Sequence, residues 1–207
     1  MNMTEQPVVF IIDDDPSVRA SLENLLSSEG YVTQAFDSPP AFLNAHRPDL
    51  PGCLVLDVRL RGASGLEFQR ELSRRGLRMP VLFITGHGDV PMSVAAMKAG
   101  AIEFLLKPYR DQDLLDAVHK GVELDRLRRT RAAELAELRA RFAAMTPREQ
   151  ELTPLVASGL LNKQIAAKLE LSEVTVKAHR AQIMQKLRAA SFADLVRAVD
   201  KLAAEPE

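Results

Sequence analysis

Between residues 8 and 106 one pattern occurs five times: a strand-length segment, a polar residue at or just past its end in four of the five, then a stretch of helical spacing. The segments are 8–12, 31–36, 53–56, 80–84 and 102–106. Each is too short for a helix, and most are apolar throughout, as strands buried on both faces must be. The stretches between carry helix signals. Asp15 precedes Pro16, and Val18, Leu22, Leu25 and Leu26 recur at helical spacing until Gly30. Ser38-Pro39-Pro40 opens a short helix to about His46, and Ser64 with Glu67 reads as a capping box for a helix to about Arg75. Asp89 and Pro91 open a fourth helix that stops at Gly100, and a fifth starts near Asp111. Five alternating strands and helices predict an α/β fold, a five-stranded doubly wound parallel sheet covered on both faces.

In such a sheet, function gathers outside the carboxyl ends of the strands. Four of the five ends carry polar groups that a core does not need: Asp13 and Asp14, Asp57, Thr85, and Lys107. Asp15 is accounted for as a helix cap, but Asp13 and Asp14 are not. Three carboxylates make a hard oxygen site suited to Mg²⁺ (or Mn²⁺), and without a cation such like charges would push one carboxyl toward protonation. Asp57 has the chemistry of a nucleophile in aspartyl-phosphate formation. Lys107 would pair with the product and the Thr85 hydroxyl would bond a phosphate oxygen, which is the positioning and charge stabilisation that phosphoryl transfer needs. Any one of these residues alone reads as a surface acid or salt bridge; their shared placement at strand ends argues for a site. Gly86-His87-Gly88 reads as a turn rather than a nucleotide fingerprint, and the four histidines lack metal-ligand spacing.

Charge is distributed unevenly. Residues 146–190 hold seven Lys and Arg against four acids, whereas residues 1–110 hold eleven against thirteen. That split suggests an acidic site in front and an anionic partner behind. The single cysteine, Cys53, sits inside a strand segment and reads as packing; one cysteine allows no intrachain disulfide, in keeping with a reducing cytosol. There is no signal peptide and no apolar stretch of membrane-spanning length, so a cytoplasmic protein with no membrane partner is expected.

Four motifs carry a resemblance: Ile-Ile-Asp-Asp-Asp (11–15), Leu-Val-Leu-Asp-Val-Arg (54–59), Ile-Thr-Gly-His-Gly-Asp-Val-Pro-Met (84–92) and Met-Lys-Ala-Gly-Ala-Ile-Glu-Phe-Leu-Leu-Lys-Pro (97–108). Together they resemble the receiver domain of response regulators, in its FixJ-like subgroup, over about residues 5–122. The resemblance implies Asp57 as phosphoacceptor, supplied by a sensor histidine kinase. It implies a cation held by Asp14 and Asp57, by Asp13 through water, and by the backbone carbonyl of Arg59. Thr85 and Phe104 would be the switch pair and Lys107-Pro108 a cis peptide. Arg59 and His87 match positions that tune dephosphorylation. One departure stands out: the family has proline where this chain has Arg61, so a looser loop is expected, with a charge that bears on phosphate lifetime or kinase docking.

Residues 111–145 contain no proline and only Gly121, with Leu124, Leu127, Leu135, Leu138, Phe142 and Met145 spaced among Arg and Glu. One long helix or two abutting ones are predicted, about 50 Å in all at 1.5 Å per residue. Fewer than three clean heptads make a coiled coil the weaker alternative to a linker helix resting on its own domains.

Beyond it, four short helices are expected. Thr146-Pro147-Arg148-Glu149 is a capping box with proline at the first helical position. Asn162 or Leu161 starts a second helix; Ser172 caps a third, with Val174, Val176, Ile183, Met184 and Leu187 facing inward; Ser191 caps a fourth. The step around 162–187 has the form of a helix-turn-helix, with Thr175, Lys177, Ala178, Arg180 and Ala181 on the outer face of its second helix. Thr-Pro-Arg-Glu-Gln (146–150), Gly-Leu-Leu-Asn-Lys-Gln-Ile-Ala (159–166), Ser-Glu-Val-Thr-Val-Lys-Ala-His-Arg (172–180) and Ile-Met-Gln-Lys-Leu (183–187) resemble the LuxR-type DNA-binding domain over about residues 143–203. That implies those five residues at the DNA, Lys163 and Lys186 near phosphates, and dimerisation through the last helix. Two departures are Pro154 inside the first helix, expected to kink it at about 3 kcal/mol unless accommodated, and Leu161 at the usual serine cap, which leaves Asn162 as the expected substitute.

The two resemblances combine in the NarL/FixJ architecture: a receiver (1–122), a helical linker (123–142) and a DNA-binding domain (143–207). The expected function is a phosphorylation-activated transcription regulator, not a turnover enzyme. It would dimerise when activated, bind double-stranded promoter DNA and act with RNA polymerase, with activation or repression left open by the sequence. The rivals are phosphorylation-independent DNA binding and an aspartyl-phosphate phosphatase. The phosphatase reading is disfavoured by the basic helical domain and by Arg59, where an acid-base Asp would be needed.

Overall fold

The computed structural model describes residues 6–86 and 88–204. The chain divides into two compact units, one up to Arg129 and one from Thr130 on.

In the first unit, β1 (Val8–Ile12), β2 (Val32–Phe36), β3 (Gly52–Asp57), β6 (Val81–Thr85) and β7 (Glu103–Leu106) form one parallel sheet in the order β2-β1-β3-β6-β7. Alternation along each strand separates two cores. Phe10, Ile12, Leu54, Leu56 and Phe83 pack on one face under α2 (Pro39–Asn44), α3 (Gly65–Arg74) and α4 (Val90–Lys98). Val9, Ile11, Cys53, Val55, Leu82 and Ile84 pack on the other under α1 (Pro16–Ser28) and the start of α5 (Asp111–Ala143). Phe42 anchors the first face, with its ring edge-on to Phe10, Phe36 and Phe68 at 5.5, 5.5 and 5.9 Å. Cys53 is buried on the second, where burial pushes its thiol up to about 12, so it packs and does not react.

Helix starts follow the expected chemistry at Asp15, whose side chain accepts from the Ser17 N–H, and at Asp89, which accepts from the Met92 N–H. The capping box expected at Ser64 and Glu67 is not made: Ser64 caps α3 by position with no side-chain bond. Ser64 is instead paired with Arg59 in a two-residue hairpin, β4 (Arg59–Leu60) and β5 (Ala63–Ser64). Gly62 turns the hairpin at φ +73, a left-handed position that favours glycine. The loop around Arg61 is thus a closed hairpin, not the looser segment that the missing proline suggested.

α5 runs unbroken over 33 residues, the single long helix of the two alternatives. Its first part belongs to the receiver unit. There Asp125, an acid with no counterpart in the sequence reading, is buried and accepts from the Gly52 N–H at 3.1 Å and from Arg128 and Arg129, both at 2.8 Å. Its last turns contribute Leu138 and Phe142 to the core of the second unit.

That unit adds α6 (Pro147–Ala157), α7 (Asn162–Leu169), α8 (Glu173–Lys186) and α9 (Phe192–Ala203). Met145, Leu152, Val156, Ile165, Val176, Ile183, Leu187 and Leu195 are its buried centre. The capping boxes at Thr146 and Ser191 form as read. α6 continues through Pro154 to Ala157. Two expectations fail here. Asn162 does not cap α7: Leu161 holds the cap position and Gln164 Oε1 accepts its N–H at 2.8 Å, the only half of a box that an apolar cap allows. Val174 does not face inward but is 78% exposed. It lies two residues, about 200°, from buried Val176, which puts it on the opposite side of the helix.

Candidate functional site

The register places the strand-end residues side by side. Ile12 pairs with Leu56, Asp57 with Ile84 and Thr85 with Leu106, so Asp13, Asp57, Thr85 and Lys107 leave the sheet at one edge. Strand order reverses between β1 and β3, and such a switch point opens a crevice at the carboxyl ends.

Asp13, Asp14 and Asp57 each offer an oxygen within 4.8 Å of the others. Lys107 Nζ donates to Asp13 Oδ2 at 2.8 Å and to Asp57 Oδ2 at 3.3 Å. The Asp13 side chain also accepts the Asp15 N–H at 2.9 Å, and Asp57 Oδ1 accepts the Arg59 N–H at 3.1 Å. Burial raises the Asp57 carboxyl above the usual carboxylate range, against the pull of the Arg59 N–H and Lys107, while Asp13 adds to the rise. Burial disfavours the charged Lys107, but its bond and charge with Asp13, then Asp57, outweigh this and raise it. Gly65, which opens α3, lies so close that a Cβ there would sit 2.3 Å from the Asp57 carbonyl oxygen.

Thr85 is buried at the end of β6, and its carbonyl accepts the Lys107 N–H at 2.8 Å. Phe104 sits on β7 with its ring 6.2 Å from Phe83. The Lys107-Pro108 peptide is cis. Arg59 begins the hairpin two residues after Asp57. His87 falls outside the described residues. The Arg61 guanidinium reaches back to Asp14, Nε to Oδ2 at 2.9 Å, a link that spacing alone gave no sign of.

The second surface is α8. Its N-terminus is capped by Ser172, which accepts the Thr175 N–H at 3.0 Å. Val174, Lys177, Ala178, Ala181, Gln182 and Gln185 form an exposed stripe at three- and four-residue spacing. Val174, Gln182 and Gln185 were missed on this stripe, although extending the same spacing would have found them. Thr175 is half-buried. Arg180 turns inward and donates to the Leu160 carbonyl at 3.2 Å and to Asn162 Oδ1 at 2.9 Å, joining α8 to the start of α7. Lys186 donates to buried Glu149 at 2.6 Å, and its bond holds that carboxyl below the usual range. Lys163 is exposed in the first turn of α7.

A doubly wound sheet with an acidic crevice and a lysine at its switch point, in one chain with a helix-turn-helix, defines a receiver coupled to a DNA-binding module. Comparison with known proteins agrees. Residues 9–119 match the response regulator receiver domain and residues 143–199 match the bacterial regulatory proteins of the luxR family. The chain is 52% identical to Nodulation protein W of Bradyrhizobium diazoefficiens over 195 residues, 94% of this chain and 86% of that protein. It is similar to the response regulator StyR, known from a low-resolution structure, at 50% identity and TM-score 0.82, covering 95% of this chain and all of that one. Full-length FixJ from B. japonicum matches at 36% identity and TM-score 0.57, over 95% and 97% of the two chains.

The chain belongs to the response regulators, with a receiver domain followed by a luxR-family DNA-binding domain. It is a phosphorylation-activated transcription regulator of a two-component system, partnered by a sensor kinase and promoter DNA, and not a turnover enzyme. Receiver domains bind Mg²⁺ through an acidic pocket, and the three hard oxygen donors here suit such a cation. Among the described residues no helix is long and apolar enough to cross a membrane.

Proposed function

We propose that Asp57 is the phosphoacceptor and that its phosphorylation pairs two chains on promoter DNA. The observation that carries this reading is Lys107 Nζ, 2.8 Å from Asp13 and 3.3 Å from Asp57, beside three carboxylates within 4.8 Å of one another. An Asp57 oxygen bonds to phosphorus as the phosphorus–nitrogen bond of the kinase's phosphohistidine breaks, leaving an acyl phosphate on Asp57. Asp13, Asp14, Asp57 and the Arg59 carbonyl would hold Mg²⁺ or Mn²⁺, which would supply neutralising charge for the incoming phosphoryl group. Lys107 then pairs with one phosphate oxygen and the Thr85 hydroxyl donates to another. Phe104 follows Thr85 inward, reshaping the surface of α4 and β7.

On that surface Val90, Val94 and Met97 form an exposed apolar stripe beside Leu106, with Lys98 at its edge. Met92 packs into the core instead. A second copy of the chain covers this stripe in the active form, because phosphorylation biases an existing equilibrium toward the state with the better contacts. By family resemblance the receiver ends near residue 122, a linker helix covers 123–142 and the DNA-binding domain starts at 143, although the compact units divide after Arg129, since Asp125 in the linker stretch still bonds Gly52 of the receiver. α8 enters the major groove with Thr175, Lys177, Ala178 and Ala181, and Lys163 lies toward phosphates, whereas Arg180 and Lys186, expected at the DNA as well, are engaged by Asn162 and Glu149 and hold the domain together. The bound dimer acts on transcription with RNA polymerase, in the cytoplasm.

The test compares the parent with Asp57→Asn under acetyl phosphate and Mg²⁺, by sedimentation for dimerisation and by gel shift for promoter binding. The parent gains both and the variant neither. An equal response in the two proteins rejects phosphate control through Asp57.

A further inference from the structure

Asp14 is one of the three acids of the pocket, and it is not free to serve a cation alone. Arg61 holds it by Nε to Oδ2 at 2.9 Å. The arginine is not there by chance of a floppy loop. It sits at the tip of the β4–β5 hairpin, whose pairs Arg59–Ser64 and Leu60–Ala63 and buried Leu60 fix the tip, and Gly62 completes the turn at φ +73. The backbone that begins this hairpin is also the backbone whose Arg59 N–H bonds Asp57. The arginine is therefore anchored to the same turn as the pocket that it reaches into.

We propose that Arg61 is an internal counter-cation that competes with the divalent cation for Asp14 and so sets the cation concentration at which the phosphoacceptor pocket loads. The inference rests on the acidic pocket being the cation site, as read above. Two effects act in the same direction. A cation that takes Asp14 must share it with the guanidinium or displace it, and a guanidinium that stays nearby repels the dication. Both weaken cation binding, and removing the arginine's charge removes both. The pair is a surface pair, with Arg61 85% and Asp14 24% exposed. Exposed pairs are weak and screened by salt, so Arg61 tunes the site and does not close it. Lys107, by contrast, bonds Asp13 and Asp57 from within the pocket and leaves Asp14 to Arg61.

Mg²⁺ titration of the full chain by isothermal calorimetry, at low salt, compares the parent with Arg61→Gln and Arg61→Lys. The expected dissociation constant falls by about two- to fivefold in Arg61→Gln, while Arg61→Lys stays near the parent. The gap narrows when the titration is repeated at high NaCl. Equal constants in parent and Arg61→Gln, or weaker binding in the variant, overturn the role of Arg61 and leave the pocket intact. Failure of all three proteins to bind Mg²⁺ overturns the pocket reading itself, and the proposal with it.

Discussion

The two charged surfaces of this chain are assembled in opposite ways. At the sheet edge, Asp13 and Lys107 come from positions 94 residues apart and meet at 2.8 Å. On α8, all the basic residues lie within one fourteen-residue helix, yet they separate. Lys177 points out, Arg180 turns to Leu160 and Asn162, and Lys186 turns to Glu149. Distant residues are forced together because parallel strands end at one edge. Neighbouring residues on a helix are sent apart, because each finds whatever partner the next helix presents. A strand-end charge is thus strong evidence for a site, whereas a basic residue on a recognition helix is not by itself evidence for a DNA contact.

The largest expected effect tests the sheet edge. Asp57→Asn should abolish acid-labile phosphate on the protein, measured by intact mass after treatment with a phosphodonor. Undiminished labelling would mean that another carboxylate of the cluster accepts the group, and the convergence would then be coincidental.

Next is Lys186→Met, which leaves the buried Glu149 carboxylate without its ammonium partner. The expected loss is about 1–3 kcal/mol in denaturant unfolding of the second unit. An unchanged midpoint would assign Lys186 to DNA alone. The same pair has a pH signature. The Glu149 carboxyl is lowered from its ordinary 4.5, chiefly by the bond from Lys186. The stability it adds is fully present above 4.5 and is lost as pH falls through the lowered folded value. Lys186→Met should flatten the stability profile in that acid window, and a profile that keeps its slope there would remove Glu149 as its source.

Arg180→Ala should cost about 1 kcal/mol, because it takes away the bonds to the Leu160 carbonyl and Asn162. Lys177→Ala is the counterpart on the exposed stripe and should leave stability within about 0.5 kcal/mol. If it serves phosphate, the slope of log binding constant against log salt should fall by about 1. Thermal melts and a salt titration of promoter binding separate the two. A Lys177 variant that melts early, or an Arg180 variant that does not, would erase the division of roles drawn on α8.

Much of this was legible in residue order. The strand–helix alternation, the Asp15, Asp89, Thr146, Ser172 and Ser191 caps, and the polar strand ends follow from local chemistry, since periodicity and capping act within a few residues. The Ser64 box failed because Ser64 was already held in a hairpin with Arg59, a pairing that propensity does not report. Val174 failed because Val at a helix position was read as core, when only its angle from Val176 decides which side it takes. Asp125, one acid among many charged residues in a long helix, gave no signal of the Gly52 N–H that it satisfies at the foot of β3.

Sequence by itself determined the class of fold, the two modules and the acids, hydroxyl and ammonium that meet at the sheet edge. The reason is that side-chain period and strand-end position are carried by the order of residues. Only the tertiary structure decided which charges are paired with which. Arg61 belongs to Asp14, Lys186 to Glu149 and Arg180 to the start of α7, because an ion pair is set by distance in space, and spacing along the chain does not contain that distance.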